Sequence, residues 1–155
     1  DDLVDQLGAV DNADISLGQA ILEEASCLKC HSLDGEANGA ITGPPFSDVL
    51  TRHDRASLLT QILDPSETIL EGYEAEQLFL KDGGVIAGRL MAEDESGVTI
   101  LADPYNDVRT VVPHDDVDER RESSLSTMPE GLLMAFEQEE ILALIAYLES
   151  LRGEP

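Results

Sequence analysis

Two hydrophobic periods alternate along the chain, and they predict different structures. Over residues 15–28, Leu17, Ala20, Ile21 and Leu28 share one helical stripe, with Ser16 or Asp14 available as cap, so the pattern predicts a helix from about 16 that runs into Cys27-Leu-Lys-Cys30-His31. Residues 33–49 are rich in Gly and Pro without any period, which predicts loop. Asp54 can cap a short helix through Leu63, and Asp64-Pro65 stops it. From Glu74 to about Glu119 the period drops to two. Residues 76–90 read as a hairpin, since Asp82-Gly83 supplies the positive φ angles of a tight turn, and strands are predicted at 97–103 and 107–113. The helical period returns with Ile141, Leu144, Ile145 and Leu148, predicting a helix from about 137 to 151. The economical description is a mainly α single domain over residues 1–155, with a small antiparallel sheet inserted at 74–120.

Charge narrows the partners. Nine Lys and Arg stand against 33 Asp and Glu, a net charge of −24, which disfavours nucleic acid and anionic membranes and favours partners with a basic docking patch. An acidic coat suited to a salty habitat explains the same numbers, and the spread of charge along the chain leans toward it. No apolar run reaches the ~18 residues of a membrane span, and the first ten residues have no signal-peptide pattern, as expected where an export signal is absent or already removed.

The chemistry concentrates in five residues. Cys27 and Cys30 are the only cysteines, and His31 follows directly. On a helix both thiols point to one side, with the imidazole one turn beyond Cys27, so two thioethers can hold a porphyrin edge while the imidazole reaches its iron. C-x-x-C-H is the c-type haem attachment signature. A thioredoxin-like pair belongs at a helix start, where the dipole lowers the thiol pKa; here the pair closes the helical pattern. A zinc site needs four ligands, and His53 and His114 stand at spacings of no common finger.

Haem makes two further demands. The imidazole needs a partner on its second nitrogen, and Gly43-Pro44-Pro45-Phe46 offers a carbonyl. The sixth iron position has five candidates, Met91, Met128, Met134, His53 and His114. Met91 lies in a strand pattern, and Met134 lies in a helical apolar stretch where core packing is the default. The two histidines flank acidic residues and read equally well as surface groups. Met128 is favoured, because it sits in the loop 125–131 with Pro129 stiffening the backbone behind it.

In this order the landmarks resemble the class I cytochromes c: CLKCH, then Gly43-Pro44, then Met128-Pro129, then a last helix with Ile-Ala-Tyr147-Leu148. The resemblance implies a mainly α class I cytochrome fold, with His31 as proximal ligand, Met128 as distal ligand and the Pro44 carbonyl on His31. It also implies that Gly18 and Leu22 cross the last helix near Tyr147, and that Arg52 binds a haem propionate. Over residues 15–151 the chain is similar to the haem-binding domain of planctomycetes and verrucomicrobia, through Ile-Leu-Asp-Pro-Ser66, Glu-Gly-Tyr73, Lys-Asp-Gly83 with Gly88, and Ser126-Thr-Met-Pro-Glu-Gly-Leu132. Members of that family commonly end long exported proteins that carry dehydrogenase-like propellers. Pro45-Phe46 departs from the polar residue and leucine usual there.

What the resemblance implies is a non-enzymatic electron carrier, with one haem c held by Cys27 and Cys30. It would serve a redox partner or a fused dehydrogenase domain in the periplasm or outside the cell. His/Met ligation leaves iron no open site and raises its potential. The alternatives are a haem-based sensor or peroxidase module, if Met128 is displaceable, and a haem-free metal or thiol module. Tyr73, at the start of the insertion, reads either as a haem contact or as packing.

Overall fold

A computed structural model describes residues 2–33 and 42–152, and the chain divides into two compact units, residues 1–67 with 129–155, and Thr68–Met128. The part of the expected loop at 34–41 lies outside the described residues.

Helices build the first unit: α1 (Asp2–Asp5), α2 (Ile15–Glu24), α3 (Phe46–Arg52), α4 (Arg55–Leu63) and α5 (Gln138–Ser150), with 3-10 turns at Leu7–Asn12 and Cys27–Lys29. Asp14 is the cap chosen for α2, its carboxylate accepting from the backbone N–H of Ser16 at 2.9 Å and of Leu17 at 3.3 Å. Asp54 caps α4 through Ser57 N–H at 2.8 Å. At α5, Glu137 and Glu140 form a reciprocal capping box. The core gathers one face of each longer helix, with Leu22, Leu59, Leu144, Ile145 and Leu148 all almost fully buried. Leu7 and Val10 of the amino-terminal turn join the same core.

The crossing of α2 and α5 fixes this unit. A Cβ on Gly18 would fall on the Ala143 carbonyl and 2.7 Å from Tyr147 Cβ, so only glycine lets the two backbones approach so closely. Gly18 and Tyr147 therefore meet as the resemblance implies, and Leu22 is buried in the same core.

Two helical expectations change. α2 does not run into the cysteines. It ends at Glu24, and Ser26 takes a left-handed conformation (φ 62°) before the chain starts a new turn at Cys27. Leu28, counted on the buried stripe, is accordingly 41% exposed. A helix also occupies 46–52, where loop is expected. Pro45 provides its extended start, and the Pro45 carbonyl accepts from the N–H groups of Asp48 and Val49.

The second unit is an antiparallel sheet in the order β4-β3-β2-β1-β5. Its strands are β1 (Ala75–Leu80), β2 (Val85–Asp94), β3 (Gly97–Asp103), β4 (Val108–Val112) and β5 (Val117–Glu122). The β1–β2 turn forms as expected, with Gly83 at φ 92° and the Asp82 carboxylate accepting from Gly84 N–H at 2.8 Å. Leu78, Val98, Ile100 and Val112 form the sheet's own small core. Between the two edge strands runs only the short turn Pro113–Asp116. Five residue steps reach at most about 17 Å, whereas edges four strand spacings apart in a flat sheet stand about 19 Å from each other, so the sheet must curl to bring its edges together.

This sheet overturns the mainly α class I cytochrome fold as a description of the chain. Of the described residues 38% are helical and 24% are in strands, in five strands rather than the four expected. The fold is mixed α and β. β5 escapes the hydrophobic pattern because it reads VDERRE, and as an edge strand it needs almost no apolar side chain.

Candidate functional site

The new turn at Cys27 gathers the candidate chemistry. Ser26 redirects the chain, and the N–H groups of Cys30 and His31 then both donate to the Cys27 carbonyl, at 3.2 and 3.0 Å. Both thiols and the imidazole thus project from a single turn. Cys27 and Cys30 are half-buried and share no disulfide. Burial raises both thiol pKa values, that of Cys27 to about 11, while a hydrogen bond with Thr42 partly offsets the effect at Cys30. Such thiols stay protonated at neutral pH, the opposite of an activated redox pair.

His31 is held on several sides. Its Nδ1 lies 2.6 Å from the Pro44 carbonyl, and since a carbonyl only accepts, Nδ1 carries the proton. Nε2 is therefore the nitrogen with the free lone pair, the one able to bind a metal. Burial lowers the imidazole pKa, and the Pro44 hydrogen bond offsets only part of this, which favours the neutral, ligating form. The Phe46 ring stacks on the imidazole with centroids 4.9 Å apart and planes 19° apart. A Cβ on Gly43 would come within 2.5, 2.8 and 2.9 Å of Cε1, Nδ1 and Nε2. Nearly equal distances to the three atoms put that point over the ring face, so Gly43 is required for the approach. Backbone hydrogen bonds tie the flanks together, from Gly43 N–H to Cys30 C=O and from Phe46 N–H to Ser32 C=O, each at 2.8 Å.

Cys27, Cys30, His31 and Pro44 are thus brought together in the first unit. Arg52 lies in the last turn of α3, where its Nε pairs with Asp48 at 3.0 Å. Tyr73 and Met128 belong to the second unit. The guanidinium of Arg89 covers the Tyr73 ring at 4.2 Å. Met128 is half-buried, and its N–H donates to the Ser126 hydroxyl at 3.1 Å.

Of the other ligand candidates, Met91 lies in β2, His53 Nδ1 is 3.3 Å from the Ser57 hydroxyl, and His114 Nε2 donates to the Asp94 carbonyl at 2.8 Å. Met134 corrects an expectation. It lies in an irregular turn rather than a helix and is 88% exposed, not core. Phe46, Gly43 and Thr42 were missed as site residues, and the signal available was the aromatic at 46 where the resembling family has leucine.

The residues present fit a covalent haem: two unbridged cysteines on one turn, beside an imidazole whose second nitrogen is already occupied. Among the described residues no group of three or more His, Cys, Asp or Glu gathers to hold a bare metal ion. No helix among them is long and apolar enough to cross a membrane. No family model matches the chain, and no curated protein matches it.

Proposed function

We propose that this chain is an electron-transfer module, carrying one c-type haem bound through Cys27 and Cys30, with His31 as proximal and Met128 as distal ligand. The observation that carries the reading is the His31 Nδ1 to Pro44 carbonyl hydrogen bond, which fixes the tautomer and leaves Nε2 free to ligate. When bound, the haem iron supplies the one-electron couple. The protein's part is to hold and shield it. Cys27 and Cys30 anchor the porphyrin edge, the Pro44 carbonyl raises the donor strength of His31, and Phe46 adds apolar cover beside the ligand. Met128 would be the second residue to hold the iron, and with both ligands supplied by the protein the module would neither bind nor turn over a substrate.

Electrons come from a partner protein or a fused dehydrogenase domain. Its docking face is basic, answering the net charge of −24. The setting is periplasmic or exported, where haem is joined to cysteine.

An absorption spectrum of the purified protein, reduced and oxidised, tests the reading. A c-type spectrum with the weak methionine-to-iron band in the ferric form is expected, and Met128→Ala should abolish that band. Haem without the band removes Met128 from the ligand set. A protein without haem ends the proposal.

A further inference from the structure

We infer that Phe46 and Gly43 set the rotation of the His31 ring about the bond from Nε2 to iron, which makes them positioning residues for the ligand. The inference rests on the haem reading above.

The Pro44 hydrogen bond restrains one edge of the ring, but acceptor geometry at a carbonyl is broad, so this bond alone lets the ring turn about the N–H···O line. Contacts on the ring face remove that freedom. Phe46 lies 19° from parallel and only 6% of it is exposed, so it has little room to yield. At Gly43 the backbone itself approaches the face, closer than any side chain would allow. Both clamp residues are hydrogen-bonded through their N–H groups to Cys30 and Ser32, the neighbours of His31 on either side. Ring and clamp are therefore one rigid piece. A leucine at position 46 fills similar space but presents no plane, so it does not specify an angle. Rotation matters because the orientation of an axial imidazole sets how unpaired ferric spin spreads over the porphyrin. It thereby tunes the electronic asymmetry of the haem without changing either ligand.

The test is proton NMR of the ferric protein and of its Phe46→Leu, Phe46→Tyr and Gly43→Ala variants, with reduction potentials measured in parallel. The order or spread of the four haem methyl shifts should change in Phe46→Leu and return toward wild type in Phe46→Tyr, with the methionine band kept in both. Gly43→Ala should lose the slowly exchanging His31 Nδ1 proton. Phe46→Leu methyl shifts that superimpose on wild type overturn the clamp and leave the haem reading intact. A colourless wild-type protein overturns both. Should Phe46→Leu not fold, the wild type still decides: in the ferrous, diamagnetic form the His31 ring protons must show the through-space contacts to Phe46 that stacking demands, and their absence refutes the inference.

Discussion

The two units use their few cations differently. The helical unit has four Lys and Arg against 19 Asp and Glu, and the sheet unit has five against 14. In the helical unit, arginines pin distant pieces of chain. Arg55 binds Glu149 with two nitrogens at 2.8 and 2.9 Å, Asp11 at 2.7 Å and the Leu7 carbonyl at 2.9 Å, which fastens the amino-terminal turn and α5 to α4. Arg152 reaches the carbonyls of Leu50 and His53 and closes the end of α3. In the sheet unit, arginines lie over their neighbours instead: Arg89 on Tyr73, Arg121 on Phe79, and Arg120 across to Glu76 and Glu93. Helices leave their mutual placement to a few long-range contacts, whereas a hydrogen-bonded ladder already fixes its strands. Loss of one arginine should therefore matter more in the first unit than in the second.

The largest effect expected is at the helix crossing. Gly18→Val drives a branched side chain into the Ala143 backbone and should cost upwards of about 3 kcal/mol, read as a lower denaturation midpoint of the helical unit. Next comes Arg55→Ala, which removes four hydrogen bonds made by a charged group. A loss of about 2 kcal/mol is expected, with faster amide exchange over Leu7–Asn12. A smaller loss, about 1 kcal/mol, is expected for Arg89→Ala, where a cation over a ring disappears but the ladder stays. If Arg89→Ala costs as much as Arg55→Ala, the contrast between the units is wrong.

The smallest effect concerns acid. The N–H and hydroxyl of Ser57 hold the Asp54 carboxyl below its usual range. The cap on α4 therefore contributes fully above the ordinary carboxylate pKa, and the contribution is lost as pH falls through the lower folded value. Amide exchange across α4 should rise in that acid window, and Asp54→Asn, which still caps but does not titrate, should flatten the rise.

Legibility in the sequence followed the range of the cause. α5 and α4 could be placed within a residue or two, because apolar period and capping carboxylates are local. The β1–β2 turn was equally plain from Asp82-Gly83. β5 was hidden because an edge strand has no need of an apolar face, and α3 because seven residues behind two prolines carry too little pattern. At the site, the cysteines and histidine were visible as chemistry, while the break at Ser26 was not, since nothing about serine announces a left-handed turn. The partners of Arg55, 94 residues away at Glu149, lay beyond any local reading.

The sheet unit begins and ends on neighbouring strands, for β1 pairs with β5 and Ser123 N–H donates to the Ala75 carbonyl at 2.8 Å. Once the sheet has formed, α4 and α5 are joined not by a loop of about 70 residues but by two tethers of about 25 in all, and the entropy of closing the connection falls by about 0.9 kcal/mol. An inserted body with adjacent ends asks little of its host, which is how a segment this long can interrupt a helical unit between two helices that share a core.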